Sequence, residues 1–309
     1  MDEMEVLGQY INGNVATTIY SDGTKVHETN DYEFLYSFPE AHDIQISQCC
    51  DNGCKYCYAG CTPNGKHGRL TGWRFFDSMR PYTEVAINIQ FPTPPDLMEF
   101  LYTMKAKNIF VNITINQNHF MTDYGKQFVA FLVKMGLIQG IGISVTDILQ
   151  DGFLEEVRKY SNAVLHVIAG IIHPEDLYAL GMRGKGQLKL LILGFKHKGR
   201  GNKYYEEHAQ EVEDNIQWVE SGIEELQDVY KIIAFDNLAV EQLHMKDHVD
   251  EETWEVGYAG EDGMVTFYID LVNGTFARSS MSPKTYPIGD KSIDEMFEIV
   301  RQELRGESA

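Results

Sequence analysis

The chain has 309 residues, 43% hydrophobic and 23% charged, with 26 Lys and Arg against 46 Asp and Glu for a formal charge of −20. That length suits one large α/β domain or two smaller ones, with the composition of a globular protein. The charge argues against a polynucleotide partner, whose affinity rests largely on Lys and Arg. No apolar run nears the roughly 20 residues needed to span a bilayer, so no membrane partner is expected. The start, "MDEMEVLGQY", is acidic and lacks the basic and apolar regions of a signal peptide, and a cytoplasmic location is expected.

In chain order, turn signals at "NGN" (Asn12 to Asn14) and "SDGT" (Ser21 to Thr24) flank the β-branched run "VATTIY". Residues 1–36 therefore predict a β-hairpin or small meander, placed to close one end of a barrel. After Pro39, short apolar runs alternate with longer amphipathic ones. Strands are expected over 43–47, 84–90, 108–115, 140–146, 163–171 and 188–195. Between them, "PPDLMEFLYTMKAK" carries Leu97, Phe100, Leu101 and Met104 at helical spacing. "TDYGKQFVAFLVKMG" offers Thr122 or Asp123 as a cap, with Phe128, Phe131, Leu132 and Met135 as its apolar stripe. Strands with little polar alternation suit a parallel sheet covered on both faces. Residues 37–235 thus predict an α/β fold, a partial (β/α)6 barrel with its chemistry at the C-terminal strand ends. The acidic segment "EEHAQEVEDNIQWVESGIEELQD" reads as a solvated helix face. Residues 236–309 predict a hairpin-plus-helix extension. An "NG" turn lies inside "MVTFYIDLVNGTFARSS", and the last helix starts at Ser292 with a capping box to Glu295.

All five cysteines fall within "QCCDNGCKYCYAGC", between Gln48 and Cys61. A disulfide framework would spread cysteines to staple distant segments, so this cluster points to a metal site. Cys50, Cys54 and Cys57 give C-x3-C-x2-C. Three thiolates on so short a loop can converge on one side of a cubic iron–sulfur cluster and leave one iron open. A structural zinc held by four of the five cysteines, or a redox pair of Cys54 and Cys57, are the other readings of the same residues. Cys49 and Cys61 are extra thiols beside the site, or face the substrate.

"CDNGCKYC", with Tyr56 before the last cysteine and a strand before the first, resembles the radical S-adenosylmethionine (radical SAM) superfamily. The wider stretch "SQCCDNGCKYCYAGCTPNGKHG" resembles an uncharacterised bacterial and phage group within it. The resemblance implies that Cys50, Cys54 and Cys57 are metal ligands and catalytic, holding a 4Fe–4S cluster whose open iron chelates SAM. One electron then cleaves SAM, and the resulting 5′-deoxyadenosyl radical takes a hydrogen from a substrate. A reductase, flavodoxin or ferredoxin is implied as electron donor.

SAM contacts are implied at the strand ends. Asn88, Ile89 and Gln90 stand where the family usually carries a Gly-Gly-Glu-like motif for the SAM amino group. Thr114, Asn116 and Ser144 match its use of the third and fourth strands for the carboxylate and ribose. Gln117, Asn118, His119, Thr146 and Asp147 lie nearby. Ile168 and Gly170 match the adenine motif of the fifth strand, whereas His166 is expected to be packed in the core. "GFKHKGRGNKYY" gathers Lys196, Lys198, Arg200 and Lys203, either a clamp for an anionic group of SAM or substrate or a solvated loop. "TPNGKHG", with Lys66 and His67, covers the cluster or is a plain turn. The C-terminal extension resembles the twitch-like end of radical SAM peptide-modifying enzymes, without the cysteines of auxiliary clusters. Three functions follow: a radical SAM enzyme on a peptide or protein side chain, one on a small metabolite or nucleotide, or a non-catalytic cluster- or zinc-binding protein.

Overall fold

The computed structural model describes residues 5–21, 23–258 and 260–306, so Asp22 of the "SDGT" turn and the first four residues lie outside it. β1 (Val6–Asn12), β2 (Val15–Tyr20) and β3 (Lys25–Glu28) form an antiparallel three-stranded meander. The strands of the main sheet are β4 (Ala41–Gln45), β5 (Glu84–Ile89), β6 (Phe110–Asn116), β7 (Gly140–Ser144), β8 (Ala163–Ile168), β9 (Lys189–Leu193), β10 (Ile232–Phe235), β11 (Thr266–Asp270), β12 (Thr275–Ala277) and β13 (Tyr286–Pro287). Their order is β10-β9-β8-β7-β6-β5-β4-β11-β12-β13. β4 to β10 run parallel in sequence order, the arrangement of consecutive βα units. The sheet does not close on itself, and the result is a partial barrel. Two features extend the expected six strands. "IIAF" adds β10 at one edge, and β11 returns to pair in parallel with β4 at the other.

The helices are α1 (Arg74–Ser78), α2 (Leu97–Ala106), α3 (Gln117–Phe120), α4 (Asp123–Lys134), α5 (Phe153–Val157), α6 (Pro174–Gly184), α7 (Arg200–Ser221), α8 (Ile223–Gln227), α9 (Asn237–Gln242), α10 (Glu251–Gly257) and α11 (Ile293–Leu304). The acidic segment lies in α7 and α8 as expected. Thr122 caps α4 by accepting from the Gly125 amide. Its buried face is Gly125, Val129 and Leu132, however, while Phe131 and Met135 are exposed at 42% and 37%. The stripe expected from 128, 131, 132 and 135 is thus rotated: the small Gly125 lets the first turn sit against the His119 carbonyl, where a side chain would collide. Ser292 caps α11 with the full capping box. Asp270 fixes the "NG" hairpin by accepting from the Val272 and Asn273 amides.

The core lies beneath the helices. Val85, Ile87 and Ile89 of β5, Val111, Ile113 and Ile115 of β6, and Ile141 and Ile143 of β7 are all buried there. The opposite face is not covered, contrary to the expectation of a sheet shielded on both sides. Asn88, Asn112, Thr114, Asn116, Ser144 and His166 alternate with the core residues and remain partly accessible. The sheet curls around a hollow, and its inner face is polar toward the C-terminal ends.

The meander sits at the N-terminal end of this hollow. Lys25 pairs with Glu84 at 3.0 Å. Glu40, 4% exposed just before β4, accepts from the Tyr10 hydroxyl at 2.9 Å and the Thr17 hydroxyl at 3.1 Å, and meets His27 Nε2 at 2.8 Å. Burial pushes Glu40 up, but the bond and charge of His27, with Lys25 and Tyr10, outweigh it and hold the carboxyl below its ordinary value.

Candidate active site

The cysteine loop leaves the C-terminal end of β4 and opens into a cavity of about 520 Å³ over the ends of β4 to β9. That size lies within the usual range of small-molecule sites, about 300–1,000 Å³. Cys50, Cys54 and Cys57 all line it, with Tyr56 and Cys61. All five cysteines are free thiols. Cys49 is buried and points its Sγ at the Pro63 carbonyl, 3.2 Å away. Burial raises the thiols of Cys50 and Cys54. A hydrogen bond from Cys61 lowers the Cys57 thiol and raises that of Cys61 itself.

The loop is held from three directions. The Arg200 guanidinium donates to the carbonyls of Cys54 at 2.8 Å and Cys61 at 2.6 Å, and its backbone amide donates to that of Cys57. Gly199, at φ +57°, lets this segment approach the loop, since a Cβ would strike the Tyr58 carbonyl. On the other side Asn118 donates to Asn52 Oδ1 at 2.9 Å, and His119 meets Asp51 at 2.7 Å. Beneath, Ser47 bonds His67 Nδ1 at 2.9 Å, and Gly65 packs on the Gln48 carbonyl. The "TPNGKHG" segment therefore braces the base of the loop. Asn52 donates to Cys54 Sγ at 2.9 Å.

The strand ends complete the cavity. Asn88 and Gln90, Thr114 and Asn116, Ser144, and Ile168 are all on its wall. Gly170 is not; its carbonyl accepts from buried Asn215 of α7. Lys196 is not either, and lines a second cavity with its Nζ 2.9 Å from Ser280 Oγ. Lys198 donates to the Ser280 carbonyl, and Lys203 is exposed beside Glu207. The basic cluster of the sequence is thus dispersed, and Arg200 alone of the four reaches the cysteine cavity.

Three further features carry weight. Gln117 is fully buried and joins the ends of β6 and β7: its Oε1 accepts from the amides of Thr146 and Asp147, and its Nε2 donates to the Asp147 carbonyl. His166, expected in the core, lines the cavity instead. Its ring lies over Gly142, where any side chain would displace it, and burial lowers it to about 4, so it is neutral at neutral pH. The Gln90 Oε1 is a buried acceptor with no hydrogen-bond partner, while its Nε2 faces Cys61 Sγ at 3.7 Å. Period-2 alternation in "VNITIN" could have exposed the inner face; only the fold could bring Gln90 and Cys61 together.

The donor set fits the implied cluster. Three thiols of one loop face a single cavity, and carbonyls rather than thiols are what Arg200 engages. Among the described residues no three His, Cys, Asp or Glu side chains converge to hold a single ion. In a cluster the three thiolates would each bind a different iron, so they need not meet at a point as the ligands of zinc do.

No family model matches the chain, and no curated protein does. Solved structures are similar. Native anSMEcpe with bound AdoMet matches with a TM-score of 0.53 at 13% identity, over 84% of this chain and 80% of that one. Histidine-tagged anSMEcpe with bound AdoMet gives 0.53 at 14%, over 84% and 78%. Native anSMEcpe with bound AdoMet and Cp18Cys peptide gives 0.50 at 14%, over 84% and 80%. At such identity the likeness shows the fold: an α/β partial barrel. No helix among the described residues is long and apolar enough to cross a membrane.

Proposed function

We propose that the chain is a radical SAM enzyme whose substrate is a peptide or protein side chain. The observation that carries this reading is the convergence of Cys50, Cys54 and Cys57 on the same cavity wall as Asn88, Gln90, Thr114, Asn116 and Ser144, at the C-terminal end of an open parallel barrel. In a cluster-bound protein the cofactors supply one-electron reduction of SAM and hydrogen abstraction from a substrate. The chain's own residues position and shield. Cys50, Cys54 and Cys57 would hold the cluster on a loop locked by Arg200, His119 and Asn118. The unpartnered Gln90 Oε1 suits an ammonium, since a buried acceptor gains most from a charged donor. Thr114, Asn116 and Ser144 offer hydroxyl and amide groups to a carboxylate and ribose, and Ile168 an apolar face to a base. Neutral His166 adds a polar wall without a charge. The open side of the barrel and the peptide in one neighbouring structure favour a peptide over a small metabolite.

The test is metal analysis of single cysteine variants after anaerobic reconstitution. Wild type should hold about four irons with matching sulfide. Cys50→Ala, Cys54→Ala and Cys57→Ala should each lose them, and Cys49→Ala should keep them. Stoichiometric zinc, or a cluster lost equally with Cys49, would overturn the assignment.

A further inference from the structure

A second cavity, of about 930 Å³, opens where the barrel fails to close, between β10 and the β4–β11 side. Asp43 reaches into it from the inner face of β4. This carboxylate is exposed to the cavity, and among the described residues it makes no hydrogen bond or ion pair. Burial, together with Asp236 and Asp262, raises it despite nearby Lys196. Its neighbours, by contrast, are engaged. Asp236 Oδ1 accepts from the amides of Gly194 and Ala239, and Asp262 accepts from Asn237 at 2.7 Å. Lys196 donates to Ser280 Oγ, with its Nζ 4.4 Å from the centre of the Tyr58 ring. Lys196 is therefore occupied by a hydroxyl and a ring rather than by an acid, and since seven carboxylates face only Lys196, Lys246 and Arg278 on this wall, the group left without a partner is negative. Trp254 and Tyr258, stacked with centroids 4.6 Å apart, form part of the wall. Aromatic faces beside carboxylates are the usual surroundings of an organic cation.

The two cavities share a partition. Gln45 stands two residues beyond Asp43 on the same face of β4, about 6.6 Å along the strand. It lines the cysteine cavity, and its Nε2 is buried with no partner. Tyr58 lines the cysteine cavity and covers Lys196 of the second. A flexible side chain anchored at Asp43 would thus run toward the cysteine site, past a free amide donor.

We propose that the second cavity is the substrate site and takes a primary amine or guanidinium at the end of a flexible chain, seated on Asp43. As a substrate site it rests on the radical SAM reading; as a cation site it does not. The test is saturation-transfer NMR on the full chain without SAM. The ligands are N-acetyl-lysine methylamide, N-acetyl-arginine methylamide, N-acetyl-norleucine methylamide, N-acetyl-glutamate methylamide and spermidine. Ligands so small should bind at about 1 mM. The lysine or arginine ligand should bind, norleucine and glutamate should bind at least tenfold more weakly, and Asp43→Asn should weaken the cation at least tenfold. Since Asp43 supports no hydrogen bond, this variant should keep the wild-type unfolding midpoint. Spermidine binding as well would place recognition in the amine alone, and its failure would place it in a peptide-borne side chain; both support the cation site. Tighter binding of the glutamate ligand, equal binding to Asp43→Asn, or no cation binding up to about 10 mM, tenfold above the expected affinity, would overturn it. Wild-type SAM cleavage in that event would leave the radical SAM reading standing, whereas cation binding by a protein that holds no iron would refute the reading and spare the site.

Discussion

Arg200 should decide whether the cysteine loop is ordered before any cluster binds. Arg200→Ala removes two charge-assisted hydrogen bonds, to the carbonyls of Cys54 and Cys61. Such bonds contribute about 1.5–3 kcal/mol each, and solvent screening of the partly exposed Arg200 discounts the pair to about 2–4 kcal/mol together. At about 1.4 kcal/mol per tenfold, local opening of the loop should rise by roughly 30-fold or more. Amide hydrogen exchange on the cluster-free protein reads this directly. The Gly60 amide, bonded to the Cys57 carbonyl, should exchange faster by that factor, while buried Ile113 of β6 keeps its wild-type rate. Arg200→Lys should fall between, because an ammonium lacks the planar fork that reaches both carbonyls. Unchanged exchange at Gly60 in Arg200→Ala would refute the clamp, and so would an equal rise in β6, which would mean global destabilisation.

Three further outcomes are expected. Glu40→Ala should cost about 3–5 kcal/mol in urea unfolding, because Tyr10, Thr17 and His27 lose a buried charged partner. The folded protein holds Glu40 below its ordinary value, so its contribution is complete above the unfolded carboxylate range of about 4–4.5 and is lost as pH falls through the folded value; the gap between wild type and Glu40→Gln should therefore narrow on acidification, and a gap independent of pH would contradict the assignment. Gly199→Ala forces a side chain into a positive-φ site against the Tyr58 carbonyl, and should destabilise by about 2 kcal/mol or more in the same assay. Gln90→Leu should weaken SAM binding to the reconstituted protein about tenfold in calorimetry, with the cluster absorbance intact.

Much of the fold could be read because its signals are local. The six strands, the helix caps at Thr122 and Ser292 and the "NG" hairpin each rest on residues within a few positions of one another. The cysteine loop is likewise contiguous, so its three-thiol pattern is visible in one line of sequence. What escaped was set by pairing at long range. "IIAF" is too short to announce a seventh strand, and nothing in "TFYID" shows that it lies parallel to "AHDIQ". The inner face was misread for a different reason. "VNITIN" does alternate, but Val111, Ile113 and Ile115 dominate the composition and hide the Asn112, Thr114 and Asn116 face. The basic residues after β9 read as one cluster because they are adjacent in sequence. A turn and the start of α7 send Lys196 and Arg200 into different cavities. Asp43 carries no signal in the sequence: it is one acid in a strand, and only the open barrel leaves it bare.

The proposed function stands on reductive SAM cleavage at the Cys50, Cys54 and Cys57 site. The most direct measurement is 5′-deoxyadenosine formed by the anaerobically reconstituted protein with dithionite and SAM, against Cys54→Ala treated identically. The wild type should form 5′-deoxyadenosine and the variant none. A wild type that demonstrably holds its cluster and forms no product, even with the lysine or arginine ligand present, would contradict the proposed function.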